Sequence, residues 1–238
     1  MKHHKTNAEI FADARRALLG HLSITVWSLL LFLSLSLLLT EFSYTFTFSN
    51  KYLGLTLNLA VRYLTTVFIS LFGIGLSSIF LRLLYGKQAL VRNLLTGFFE
   101  NSDTCIRVRA FITAGQFVCL LPIQLYMFVI PTDSIIASLP VIGGLTAVCL
   151  AAFLFWDLTF AMSNYLLLDF PDLTANRIMR ASSAMMRGNS LRLLMLYVRL
   201  LPLHLLGIFS LGLVNIWVSC CQYACVTAFY KDMMTAER

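Results

Sequence analysis

The chain has 238 residues, 59% of them apolar and only 12% charged, with a formal net charge of +7. A soluble domain carries roughly 25% charged residues, so a water-solvated fold is excluded and most of the surface must face lipid. The basic residues cluster at the ends of apolar runs and form no dense basic block, which excludes a nucleic-acid partner.

The first element in chain order is a short helix over 7–19. Thr6-Asn7-Ala8-Glu9 has the spacing of a capping box, in which each side chain satisfies an orphan backbone N–H. Phe11, Ala14 and Leu18 recur at helical spacing, with Asp13, Arg15 and Arg16 elsewhere on the wheel. The segment reads either as a helix lying on the membrane surface or as a plain cytoplasmic extension of the first span.

Five stretches contain no Asp, Glu, Lys or Arg: 17–40, 63–81, 110–132, 134–156 and 200–230. A spanning helix needs about 20 apolar residues. The first stretch is longer than a signal-peptide core and no small-x-small cleavage pattern follows it, so it is expected to stay in place. Span one is predicted over 21–40, span two over 63–81 between Arg62 and Arg82, and span three over 110–130 before Pro131. Span four is predicted over 135–157, running on past Trp156 in one reading. From Leu193 to Tyr230 only Arg199 is charged. One helix of that length would be nearly twice the hydrocarbon thickness. The stretch must fold back, with Ser210-Leu211-Gly212 as the turn and spans five and six over 190–209 and 213–230.

The connections are read the same way. In "EFSYTFTFSN", Phe42, Tyr44, Phe46 and Phe48 alternate with polar residues, which predicts extended chain with one aromatic face. That face suits the membrane interface or a ligand platform. Pro131-Thr132-Asp133 reads as a tight turn. Residues 87–99, with "ALVRNLLTGFF", read as an apolar helix lying flat at the interface. Between spans four and five, Pro171 ends the preceding helix, Asp172 or Thr174 caps a new one, and Gly188 suits its left-handed terminus. This helix, 173–187, sets Arg177, Arg180 and Arg187 on one face and Ile178, Ala181 and Met185 on another. Its apolar face is expected in lipid and its arginines at anionic headgroups. Topological anchoring and specific lipid or partner binding are both open to it.

Six spans put both ends of the chain on one side, and 15 Lys and Arg fall on that side against Lys51 and Arg62 on the other. Basic loops stay in the cytoplasm. The expectation is an all-α, polytopic protein of the cell membrane: a six-helix transmembrane bundle in one domain, with short interfacial amphipathic helices and cytoplasmic termini.

"LLLDFPDLTANRIMRASSAMMRGN" (166–189), followed by "LGLVNIWVSCCQYACVTAFY", resembles the C-terminal part of a bacterial membrane-protein family of unassigned activity catalogued as domain of unknown function 975. The matching residues are Asp169, Pro171, Asp172, Ser182, Met185, Gly188, Asn189, Gly212, Trp217, Phe229 and Tyr230. The chain departs from that pattern at Cys220-Cys221, at "AAFLFW" in span four and at "VRLLPLHLL" in span five. The resemblance implies a six-pass bundle and no catalytic residues.

No nucleotide, zinc-protease or hydrolase motif is present, so no catalytic residue, metal ligand or cofactor is assigned. His21 and His204 lie in different spans, and His3 and His4 in the tail. Cys221 and Cys225 are four apart but lack other ligands; with Cys105, Cys119, Cys149 and Cys220 they read as buried thiols packing as small hydrophobes. The candidates are polar groups within the membrane: Arg199 facing the bundle interior, Asp157, His204 beside Pro202, and the stripe Asn215, Ser219 and Gln222. Such groups serve as interhelical hydrogen bonds or line a path. Gly73 and Ser77 are the small pair expected to admit close packing in span two. Three functions compete. One is a non-enzymatic accessory, scaffold or self-protection component, contacting membrane lipids through anionic headgroups at the cytoplasmic face, and a membrane-protein partner or second copy. The next is a small permease or channel lined by spans four to six. The last is an intramembrane enzyme, which would need clustered acid–base or metal groups at one depth.

Overall fold

The structure is a computed structural model that describes residues 5–44, 51–130, 138–210 and 212–237. Every regular element among them is helical: α1 (Asn7–Leu18), α2 (Leu22–Tyr44), α3 (Lys51–Leu84), a 3-10 turn η1 (Val91–Leu95), α4 (Thr96–Phe99), α5 (Ser102–Val129), α6 (Leu139–Phe160), α7 (Ser163–Asp169), α8 (Ala175–Met186), α9 (Ser190–Phe209) and α10 (Leu213–Glu237). Five helical stretches are long and apolar enough to cross a membrane: Leu22–Phe42, Leu53–Leu84, Ser102–Val129, Leu139–Asp169 and Ser190–Gly207. The chain is an all-α membrane protein.

The long helices alternate in direction and share one basic end. There the Lys231 ammonium of α10 donates to the carbonyl of Leu84 at the end of α3. Arg192 at the start of α9 pairs with Asp232 of α10 at 2.7 Å. Asn101 before α5 donates to the carbonyl of Pro171 after α7 at 2.7 Å. α10 is the central strut, packed against α1, α2, α3 and α9, with Val218, Cys220, Phe229 and Tyr230 fully buried.

Boundaries move outward from the charge-free runs, because a helix does not stop where its first charge appears. α3 has 34 residues, about 51 Å by helix rise, and carries Arg62 within it. α5 begins eight residues before the predicted span and takes Arg107 and Arg109 into helix. Span four is one apolar stretch in two pieces: α6 ends at Phe160, Ala161 and Met162 form a turn, and α7 resumes to Asp169. The turn between α9 and α10 falls where expected. Gly212 takes φ +88° and its N–H bonds the carbonyl of Gly207 at 3.0 Å. Leu211 itself lies outside the described residues.

The connections differ more. Phe42 and Tyr44 continue α2 rather than an extended strand: the helix propagates from a long apolar run with no Gly or Pro to stop it. Phe46, Phe48, the 131–133 turn, His3 and His4 lie outside the described residues. The interfacial helix expected over 87–99 is instead η1 and α4, tucked against α3. Leu94 is 2% exposed, and Gly75 on α3 and Gly97 on α4 are where the backbones touch. A Cβ on Gly75 would overlap the Leu94 carbonyl, and one on Gly97 would lie 2.5 Å from the Leu71 carbonyl. Gly73 has nothing within 4 Å, so the close approach on α3 falls at Gly75, two residues further on, while Ser77 is buried.

α1 and α8 have the predicted extents, but both apolar faces lie on protein. Ile10, Ala14 and Leu18 of α1 are buried, docked on α10, and the capping box forms, with Thr6 Oγ1 accepting from the Glu9 N–H. Ile178, Ser182, Met185 and Met186 of α8 are buried against α5, α6 and α7. Thr174 is the N-cap of α8 by backbone geometry but makes no side-chain cap bond, and Gly188 takes φ +88° beyond its end. All six cysteines are free thiols.

Candidate functional site

Two polar sites lie at or near the basic end. The first is the outer face of α8. With its apolar side taken up by the bundle, Arg177, Arg180 and Arg187 are exposed. Arg180 and Arg187, together with Asn176 and Ser183, border a groove of about 540 Å³ whose back is Phe111, Phe160 and Met179. One wall is therefore cationic and the other aromatic.

The second site is inside the bundle, a cavity of about 390 Å³. Its polar lining comes from five helices: Ser77 of α3, Arg109 of α5, Asp157 of α6, Asn164 and Tyr165 of α7, and the α10 groups Ser219, Gln222 and Tyr223. Tyr197 of α9 closes one side, and Leu29, Phe32 and Leu33 of α2 form an apolar wall. Arg109, Tyr197 and Ser77 each stand seven residues from the basic end of their helix, about 10 Å by helix rise. Their common depth follows from helices of alternating direction registered at that end.

Local structure sets each group. Asp103 in the first turn of α5 suits a helix N-terminus, so the chain is already helical at Arg109. α5 and α6 approach closely because Gly115 leaves room for the Trp156 indole, whose Nε1–H donates to the carbonyl of Ile112 at 3.0 Å. One turn away, Gln116 Nε2 donates to Asp157 Oδ1 at 3.0 Å. The turn at Ala161–Met162 re-aims the chain so that Asn164 and Tyr165 reach the cavity. Tyr165 stacks on Tyr230 at 5.1 Å and bonds Thr227 at 3.2 Å. Tyr230 in turn donates to Asp169 at 2.8 Å. This bond joins the two halves of the stretch singled out in the sequence.

The electrostatics are unbalanced locally and neutral in sum. Arg109 makes no hydrogen bond among the described residues, and its Nε is buried without a partner; the same holds for Asn164 Oδ1. No nitrogen of Arg109 comes within 4.0 Å of an Asp157 oxygen. One guanidinium and one carboxylate thus face the same space without neutralising each other by contact.

Of the residues expected to act inside the membrane, Asp157, Ser219 and Gln222 meet in this cavity. His204 adjoins it, with Nε2 3.0 Å from Gln222 Oε1. Asn215 is elsewhere: it packs on Gly207, where a Cβ would overlap it, and its Oδ1 is buried without a partner. Arg199 corrects the expectation outright. It is exposed, on the outer side of α9, with its guanidinium 5.5 Å from the Phe11 ring of α1. The docking of α1 supplies an aromatic partner that an isolated span does not have, so the charge needs no place in the core. Sequence reasoning missed Arg109, which the charge count treats as a loop residue, and the hydroxyls of Tyr165, Tyr197 and Tyr223. The Ser-Asp helix start at 102–103 is the signal that places Arg109 within α5.

A third polar knot is structural. Asp232, 4% exposed, accepts from Arg192 at 2.7 Å and from the Lys5 N–H at 3.1 Å. Arg192 also donates to the Lys5 carbonyl and lies over the Phe229 ring at 5.1 Å.

Comparison with known proteins adds no name: no protein-family model matches the chain, and no curated protein or solved structure does either.

Proposed function

We propose that the chain is a six-pass protein of the cell membrane with its basic end in the cytoplasm, acting without catalysis as an accessory, scaffold or self-protection component through lipid or protein contacts. The observation that carries the reading is α8. Its buried face docks it on the bundle, and Arg177, Arg180 and Arg187 are exposed, the last two beside an aromatic groove. A helix so placed offers a standing cationic surface to anionic headgroups, each arginine contributing ~1 kcal/mol, or to an acidic partner. α10 is the sixth span in this reading. Its polar stripe lowers its hydropathy, yet it has 25 residues, with Val218, Cys220, Phe229 and Tyr230 fully buried. Membership of the family named above is part of the proposal and rests on the sequence pattern from Asp169 to Tyr230.

The test compares two variants in a cellular rescue assay, with copurified lipids and proteins measured alongside. Replacing Arg177, Arg180 and Arg187 with Gln is expected to abolish rescue and reduce copurification. Replacing Asn215 and Gln222 with Leu is expected to leave both largely intact. The reverse ranking would overturn the reading in favour of a permease, the second reading, which the interior cavity favours because a transport path needs polar groups within the membrane.

A further inference from the structure

We propose that the interior cavity is a binding site for a small zwitterion, a molecule carrying an anionic carboxylate or phosphate and an ammonium a short distance apart. The inference stands apart from the reading of α8 and holds for an accessory protein or a permease alike.

A guanidinium within a membrane bundle is costly unless something accepts its hydrogen bonds. Among the described residues Arg109 finds no acceptor, and its Nε is buried. Among the same residues Asp157 is bonded by Gln116, on one oxygen. Both face the cavity. Their separation is too great for a direct pair, so what serves them enters the space between them.

The sign of each group sets the ligand class. A simple anion would satisfy Arg109 and set like charge against Asp157; a simple cation would do the reverse. A zwitterion answers both and brings no net charge into a low-dielectric site. The rest of the lining agrees. Asn164 Oδ1, buried without a partner, needs a donor, which an ammonium supplies. Tyr165, Tyr197 and Tyr223 bring aromatic rings and hydroxyls to the same lining. At about 390 Å³ the cavity lies at the small end of ligand sites, and the wall of Leu29, Phe32 and Leu33 accepts an apolar substituent. Two sources share this chemistry: a free amino acid, and the phosphoethanolamine headgroup of a lipid.

The experiment uses the full chain in nanodiscs of phosphatidylglycerol. Thermal shift and equilibrium binding are measured with the standard amino acids, with glycerophosphoethanolamine, and with acetate and ethylamine as single-charge controls. Phosphatidylethanolamine is added to a parallel set of nanodiscs. Saturable binding of a zwitterion, with neither control binding comparably, is the expected result. A shift produced by phosphatidylethanolamine alone assigns the headgroup as the source; one produced by a free amino acid assigns the solute. Arg109→Gln and Asp157→Asn should each weaken binding by about thirtyfold or more, since each strands a charge opposite the ligand. Should either fail to fold, Ser219→Leu fills the cavity with both charges intact and should abolish binding. Absence of binding by every zwitterion, equal binding of acetate or ethylamine, or unchanged affinity in Ser219→Leu would each overturn the proposal.

Discussion

Gly97→Ala should destabilise the bundle, while the same change at Gly73 should not. The Cβ added at Gly97 would lie 2.5 Å from the Leu71 carbonyl oxygen, whereas ordinary contact begins at 3.4 Å. Backbone must therefore move by about 0.9 Å, the difference of those two distances, and no flexible side chain can absorb it. Overpacking of this kind costs typically about 1–3 kcal/mol, against a helix-propensity gain of about 0.5–1 kcal/mol for Ala over Gly. The net is a loss of about 1–2 kcal/mol. Gly75→Ala should lose more, about 3 kcal/mol, because its Cβ overlaps the Leu94 carbonyl and displacing Leu94 also exposes a fully buried leucine. Gly73→Ala, with nothing within 4 Å, keeps only the propensity gain. In a chain this long each kcal/mol shifts the midpoint by about 2–4 °C. Thermal unfolding of the four proteins in one detergent should thus rank Gly75→Ala lowest, then Gly97→Ala, then the wild type, with Gly73→Ala level or highest. Gly75→Ala and Gly97→Ala melting at or above the wild type would refute the close α3–η1–α4 seam.

Arg192→Leu removes the guanidinium paired with Asp232; a loss of about 1–3 kcal/mol is expected, read as a lower denaturant midpoint, and an unchanged midpoint would count against the knot. Thr6→Ala removes half of the capping box and should cost about 1 kcal/mol locally, measured as faster hydrogen exchange across α1 with the rest of the chain unchanged. Labelling from outside intact cells should modify Thr47→Cys and spare Ala184→Cys, and the reverse pattern would invert the proposed topology.

Much of the fold was legible because a membrane makes run length and charge decisive. The helices at 190–209 and 175–186 and the turn at Gly212 follow from apolar length, proline and glycine alone. What was not legible is what each helix faces. The amphipathic patterns of α1 and α8 are the same whether the apolar side meets lipid or protein, and here both meet protein. Arg199 looked buried because it interrupts an apolar run, yet α1 folds back to meet it outside. Arg109 looked like a loop charge, yet helix begins before it. The cavity was half visible: Asp157, Ser219 and Gln222 mark it, but the tyrosines are ordinary interfacial residues until α7, α9 and α10 bring them to one cavity. Gly97, unremarkable within the apolar run 87–99, is a backbone contact.

The final turns of α10 hold Tyr230, Lys231 and Asp232, whose partners lie on α7, at the end of α3, on α9 and at Lys5. α10 is the last of these elements to leave the ribosome. Until it does, Asp169, Arg192 and the segment before α1 await contacts that do not yet exist, and the buried face of α3 waits with them. The bonds that tie α7, α9, the end of α3 and the segment before α1 to one another through α10 therefore form only once its final turns have been made. A chain stalled or clipped before Phe229 would leave the Asp169 carboxylate, the Leu84 carbonyl and the Arg192 guanidinium without the groups of α10 that they meet in the complete bundle.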